Sequence, residues 1–423
     1  MKKLIVLFVV LVIAACTSST RTSSSGSTAK TNNYKRESNA MRPAFMIYHS
    51  SDTISELHFK IASKELLYMR PDAINFSSNV LISYKLVNNY ESKEILDSGS
   101  VRLVDSNNEG LEKYLIGKMN FKAIFPKSYY LRVTVTDLNR NSSYKTTLAV
   151  DKASMLSRQN FLVRSKQDEA PVFRNYLKLE EQVQIQYRMA SSMSLFVRYY
   201  NRTFPLAAPP FSLTDPQPFQ YKADSTFVLQ LSDKGTVDFT MNKDGFYHFV
   251  LDSTKRDGLT LFHFNDAFPE VKTADAMITP LRYITSREEY TALTSSTNKK
   301  ADVEKFWLEC TGNMERAKEV IRKFYTRVND ANVHFSSYLE GWKTDRGMIY
   351  LIYGSPNTIY RTANTENWIY GDASNINSLQ FMFVRVDNPF SDNDFSLERS
   401  GNYRQQWYMA VDVWRQGRAY LQD

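Results

Sequence analysis

Leu81-Ile82-Ser83-Tyr84-Lys85-Leu86 places Ile82, Tyr84 and Leu86 on one face of an extended chain and Ser83 and Lys85 on the other. Successive side chains of a strand point to opposite sides of the sheet, so alternation at period two marks a strand with one wet face. Leu57-His58-Phe59-Lys60-Ile61 and Leu131-Arg132-Val133-Thr134-Val135 read the same way. Turn chemistry separates these runs: Arg70-Pro71-Asp72, Asn88-Asn89, Ser106-Asn107-Asn108 and Asn139-Arg140-Asn141. Short strands at this spacing predict an immunoglobulin-like β-sandwich over residues 44–155.

The texture repeats downstream. Val183–Tyr187, Leu195–Tyr200, Phe227–Leu231 and Phe246–Leu251 are candidate strands of a second β-sandwich over residues 156–272. Pro205, Pro209, Pro210, Pro216 and Pro218 mark a long loop inside it. Such a loop either binds a partner or simply connects strands.

Composition shifts near residue 280. Ser286-Arg287-Glu288-Glu289 has the form of a capping box, with Ser286 at the helix N-cap and Glu289 three residues on. Val303, Phe306 and Trp307, then Val320, Ile321, Phe324, Tyr325 and Val328, recur at helical spacing, with Gly312-Asn313 between the two helices. Strands are expected again at Met348–Tyr353, Trp368–Tyr370 and Leu379–Val386, and a last helix at Tyr403–Trp414. The fold class is therefore multi-domain: two β-sandwiches followed by an α+β domain over residues 273–423.

Between the helices and the first of those strands stands Gly341-Trp342-Lys343-Thr344-Asp345-Arg346-Gly347. Physically, Gly341 suits a left-handed position after a helix and Trp342 packs on the sheet. Thr344 and Asp345 suit a turn or cap, with Asp345 able to accept main-chain N–H bonds or to pair with Arg346 or another basic group. Gly347 opens the following strand. A structural corner is the favoured reading. A binding site built on the corner, or catalysis by Asp345, stays open.

The same residues resemble the signature of the GWxTD-domain family, lipoproteins and related proteins found mainly in Bacteroidota. Lys305-Phe306-Trp307-Leu308 and Ala331–Phe335 upstream resemble it too, as do Met348–Asn357 and Glu366-Asn367-Trp368-Ile369-Tyr370 downstream. Ser355 stands where the resemblance leads one to expect a proline. The resemblance covers residues 275 to 423 and implies no established catalytic residues.

The chain opens with Met1-Lys2-Lys3, the apolar run Leu4–Ile13, and then Ala14-Ala15-Cys16. This reads as a signal peptide over residues 1–15, since ten apolar residues suit a signal and are too few to span a bilayer. Ile13-Ala14-Ala15-Cys16 resembles the bacterial lipobox, which implies that Cys16 is the lipidated residue. Residues 16–43 read as a disordered tether, because Thr17–Asn39 holds Ser, Thr, Lys, Arg and Asn with no aliphatic residue larger than Ala. Thr17 after the cysteine, and no acid before Glu37, favour an outer-membrane anchor facing the periplasm.

Signatures of particular chemistries are few. His49, His58, His248, His263 and His334 have neither HxH nor HExxH spacing, so no metal site is expected. The sequence lacks a phosphate loop, a dinucleotide fingerprint and a nucleophile elbow, so no cofactor is expected. Cys310 reads as a structural cysteine in an apolar helix. The formal charge of +8 is spread along the chain, without a basic helix or a nucleic-acid module. The expectation is a non-enzymatic accessory or scaffold lipoprotein that binds envelope proteins of an outer-membrane assembly, secretion or gliding complex. The alternative is an envelope hydrolase or glycan-binding lipoprotein with a cleft at Asp345 and Arg346, since 26 Tyr and 26 Phe offer sugar-stacking surface.

Overall fold

The structure is a computed structural model that describes Tyr34 and residues 41–70, 76–107, 110–213 and 219–420. The expected signal peptide, Cys16 and most of the expected tether lie outside the described residues.

Among the described residues seven strands come first: β1 (Ala44–Tyr48), β2 (Ile54–Ala62), β3 (Ser77–Val87), β4 (Asp97–Ser106), β5 (Tyr114–Lys122), β6 (Lys127–Asp137) and β7 (Ser142–Lys152). They form two antiparallel sheets, ordered β1-β2-β5 and β4-β3-β6-β7. The register pairs Ile82 with Val135 and Tyr84 with Val133, so the inward faces of β3 and β6 coincide. Ile82, Leu86, Leu131 and Val135 from one sheet share a core with Leu57, Phe59 and Ile61 from the other. Each fully buried side chain of this kind contributes about 1.5–3 kcal/mol relative to exposure.

Seven more strands follow: β8 (Phe161–Ser165), β9 (Gln182–Tyr187), β10 (Ser194–Tyr200), β11 (Ser225–Gln230), β12 (Thr236–Thr240), β13 (Gly245–Val250) and β14 (Leu259–His263). Their sheets run β12-β9-β8 and β11-β10-β13-β14. Counted from its own first strand, each unit therefore has strands 1, 2 and 5 in one sheet and 4, 3, 6 and 7 in the other. The same architecture occurs twice.

The second unit differs from the first in one respect. Strand β3 alternates in burial, whereas β14 is buried at every residue and β13 at all but its first. The inward residues Tyr247, Phe249 and Leu261 fill the unit's own core. The residues facing the other way, Phe246 and Phe262, join Tyr200 and Phe390 in a second aromatic cluster. Phe390 belongs to the C-terminal region, so this cluster joins the two parts of the chain.

The C-terminal region holds α1 (Ala274–Ile278), α2 (Arg287–Ser295), α3 (Lys299–Thr311), α4 (Met314–Phe335) and α5 (Asp345–Tyr353). Strands β15 (Thr358–Arg361), β16 (Thr365–Tyr370), β17 (Leu379–Arg385) and β18 (Phe395–Leu397) form one antiparallel sheet in that order, and α6 (Tyr403–Arg415) closes the chain. The capping box at Ser286 and Glu289 is present. Gly312 ends α3 at φ +65°, and the Asn313 side chain accepts from the Glu315 and Arg316 amides to start α4.

Met348–Tyr353, expected as a strand, is helical. Every residue from Arg346 to Tyr353 is buried, and Met348–Tyr353 is apolar without a break, so that run offers no polar face at a period of 3.6. A short apolar run of this kind looks the same whether helix or buried strand.

Two of the five histidines are fully buried and held neutral. His248 donates from Nε2 to the Arg256 carbonyl (2.6 Å), with Thr260 Oγ1 2.8 Å from Nδ1. His49 donates from Nε2 to the Asp151 carbonyl (3.0 Å). Burial lowers each to about 4. The unfolded chain therefore binds more protons between pH 4 and 6.5, and stability falls as pH drops through that window. Each histidine removes on the order of 2 kcal/mol at pH 5 relative to pH 7.5. Urea midpoints at the two pH values should show the fall, and His248→Gln should flatten it; identical slopes for variant and parent would contradict the assignment.

Candidate functional site

The GWxTD residues lie where α4, a single 3-10 turn (Gly341–Lys343) and α5 meet. The glycines are there for proximity. A Cβ on Gly341 would sit 1.8 Å from the Ala331 carbonyl oxygen of α4, and one on Gly347 would sit 1.8 Å from the Gly341 carbonyl oxygen. Backbone packs directly on backbone at both points. Gly341 does not take the expected left-handed conformation, since it is not among the glycines with positive φ. Gly347 opens no strand; it is the third residue of α5, and its N–H donates to Thr344 Oγ1 (3.1 Å).

Thr344 is the N-cap of α5, as its residue type suggests, and its hydroxyl donates to the Gly341 carbonyl (2.7 Å). Trp342 is buried, and its ring meets Tyr283 edge-on at 6.2 Å in the 3-10 turn Thr279–Tyr283; that ring contact is helical, where the sheet was expected.

Asp345 and Arg346 do not pair with each other. Asp345 accepts the Leu397 N–H (2.7 Å) and is held through both oxygens by Arg399. Arg399 also donates to the Ala208 carbonyl (3.2 Å) in the proline-rich loop. That loop is bound further by Ala207 N–H to the Lys343 carbonyl (3.0 Å) and Ser400 N–H to the Pro210 carbonyl (3.1 Å). Its described part is thus a strap across the corner.

Arg346 points the other way. It reaches Glu366 (3.3 Å), donates to the Asn393 carbonyl (2.9 Å) and side-chain oxygen, and lies over the Phe395 ring at 4.0 Å. Glu366 also receives Arg361 Nε (3.1 Å) and Trp368 Nε1 (2.9 Å). Burial alone would raise the Glu366 carboxyl, but Arg346 and Arg361 beside it hold it below the usual carboxylate range.

Tyr34 completes the cluster, although it falls in the stretch expected to be a tether. Its hydroxyl donates to Glu366 (3.1 and 3.2 Å to the two oxygens), and Arg361 lies over its ring at 4.7 Å. The ring also meets Phe335 (4.8 Å), His334 (5.3 Å) and Trp368 (5.4 Å), and Tyr350 Oη donates to the Tyr34 carbonyl (3.1 Å). The tether expectation fails at this residue, because composition averages over a stretch and hides one strongly attracted side chain.

Glu366 is the acid that sequence reasoning misses, although it stands in the family-like stretch Glu366–Tyr370. At period two it shares a face with Trp368 and Tyr370, and an acid on a buried face is itself a signal. Tyr34, Arg361 and Glu366 line a cleft of about 1330 Å³ together with strands of both seven-stranded units. Basic side chains outnumber acidic ones along it, among them Lys60, Lys85, Arg132 and Arg174. Asp345 is not among the lining residues.

Cys310 is half-buried and burial pushes its thiol up, which makes it a poor nucleophile. Among the described residues no group of three or more His, Cys, Asp or Glu is placed to hold a metal ion. No helix of the described residues is long and apolar enough to cross a membrane.

The corner should fail by unfolding. Gly341→Ala and Gly347→Ala must each move backbone, at about 3 kcal/mol or more. Asp345→Ala strands a nearly buried Arg399 and should lose about 3–5 kcal/mol, with Asp345→Asn losing less. Chemical denaturation followed by circular dichroism checks this; an unchanged midpoint for Gly347→Ala would refute the close-approach account.

No curated protein matches the sequence. A crystal structure of red sea bream transglutaminase aligns with 50% of this chain and 29% of that one, at 8% identity and a TM-score of 0.19. The chain thus spans under a third of that structure, and so low a score carries no argument about fold or activity. The family model of the GWxTD domain matches residues 245–416, starting upstream of the resemblance drawn from 275 and taking in β13 and β14. With the Gly341–Gly347 signature at its centre, the chain belongs to the GWxTD-domain-containing proteins.

Proposed function

We propose that the protein is a lipid-anchored scaffold of the cell envelope that binds partner proteins. Cys16 carries the acyl chains at the outer membrane, on the periplasmic face. Two immunoglobulin-like sandwiches, over residues 44–155 and 156–272, position the GWxTD domain of residues 273–423. The strand order shared by the two units supports the immunoglobulin-like reading. The partners are members of an assembly, secretion or gliding complex.

The observation that carries the binding reading is the cleft. Both β units and the GWxTD domain contribute walls to it, and its surplus of basic residues suits an acidic protein surface. The motif's polar groups are spent on holding the fold together: Asp345 on Arg399 and Leu397, Arg346 on Glu366 and Asn393. The alternative, an envelope hydrolase or glycan binder, would want Asp345 and exposed tryptophans in one cleft. All five tryptophans are buried.

Palmitate labelling in the native host tests the anchor. The parent should incorporate label and sediment with membranes, and Cys16→Ala should do neither; labelled Cys16→Ala would sink the assignment. Purification from detergent-solubilised membranes tests the scaffold. The parent should bring down a defined set of envelope proteins, reduced at least tenfold by Lys85→Glu with Lys93→Glu on the exposed cleft rim. Recovery of the parent alone would overturn the reading.

A further inference from the structure

We propose that the GWxTD domain carries a tyrosine-reading pocket for a peptide segment, and that Tyr34 of the chain's own N-terminal region is its intramolecular occupant. The pocket reads three features of one residue. The ring lies among Phe335, His334 and Trp368 with the Arg361 guanidinium over its face, the arrangement that aromatic and cation–π attraction favour. The hydroxyl donates to Glu366, a carboxylate buried in a low-dielectric site where each donor matters. The main chain is read as well, since Tyr350 donates to the Tyr34 carbonyl. A free phenol would lack that last contact, so the ligand class is a peptide tyrosine.

Specificity follows from the same atoms. Phenylalanine would fit the ring site but remove one donor from Glu366, a loss of about tenfold for a hydrogen bond to a charged group. Phosphotyrosine would set a dianion against the Glu366 carboxylate and should bind more weakly still. Tyr34 is also the one aromatic residue between Thr17 and Asn39, and the partners it meets lie some 300 residues away in sequence. A linked segment acts at an effective concentration of roughly a millimolar. The pocket is therefore filled in the isolated chain, and a partner's tyrosine must displace Tyr34 to enter. The walls of the pocket open onto the basic cleft, so occupancy couples the anchored end of the chain to the partner-binding face.

This deepens the binding reading above, and the tests separate. Loss of peptide binding overturns the pocket alone, and loss of co-purification overturns the envelope reading alone. The probe is a fluorescent peptide of residues 30–38, titrated by anisotropy against the full chain carrying Tyr34→Ala. Saturable binding is expected, about tenfold weaker for the peptide with Phe at position 34, and at least tenfold weaker when the parent chain replaces the variant. Equal binding of a peptide with Ala at that position, or equal affinity of parent and variant, would overturn the proposal. A second measurement leaves the pocket filled in case Tyr34→Ala does not fold. Trypsin cleavage after Lys35 and Arg36 should accelerate at least fivefold in Tyr34→Phe over the parent, and an unchanged rate would equally overturn it.

Discussion

The contact on which the C-terminal domain depends is made by backbone alone. The Ala331 carbonyl of α4 presses on Gly341, and the Gly341 carbonyl presses on Gly347. With no Cβ between them, α4 and α5 approach as closely as main chain allows, and Thr344 locks the approach by bonding to both glycines. Successive residues of a helix diverge by about 100°. Asp345 and Arg346, adjacent in the first turn of α5, must therefore leave in different directions. One reaches Arg399 and the proline-rich strap, the other Glu366 and Tyr34. A pair that looks catalytic when written as a string is two separate fastenings.

The second constraint is electrostatic. Glu366 is buried, and an isolated carboxylate there would be far too costly to keep ionised. Two guanidinium groups, an indole N–H and a phenol supply what water would have supplied. That cluster gathers α5, β15, β16 and the N-terminal segment around one charge. On the other side, Phe390 enters the cluster of Tyr200, Phe246 and Phe262 and covers the outer face of β13 and β14. The family match begins at residue 245, so it takes in those two strands although they hydrogen-bond into the sheet before it.

Features written in local chemistry were readable. The capping box at Ser286, the Gly312-Asn313 break, the N-cap at Thr344 and the alternation at Ile82, Tyr84 and Leu86 each depend on neighbours a few residues away. What failed had distant causes. Gly341 is glycine because of Ala331 rather than its own φ, and Met348–Tyr353 lost its period because it is enclosed on every side. Tyr34 was averaged away in a polar stretch.

By itself, then, the sequence determined a β-rich chain with two similar units, a helical shift near residue 280 and a signature that names the domain, because periodicity and capping are short-range. Only the tertiary structure decided that the motif is a corner, that Glu366 is its charge centre and that Tyr34 reaches it. Those facts rest on close approach and on charge taken out of water, and both depend on which distant residues the fold brings together.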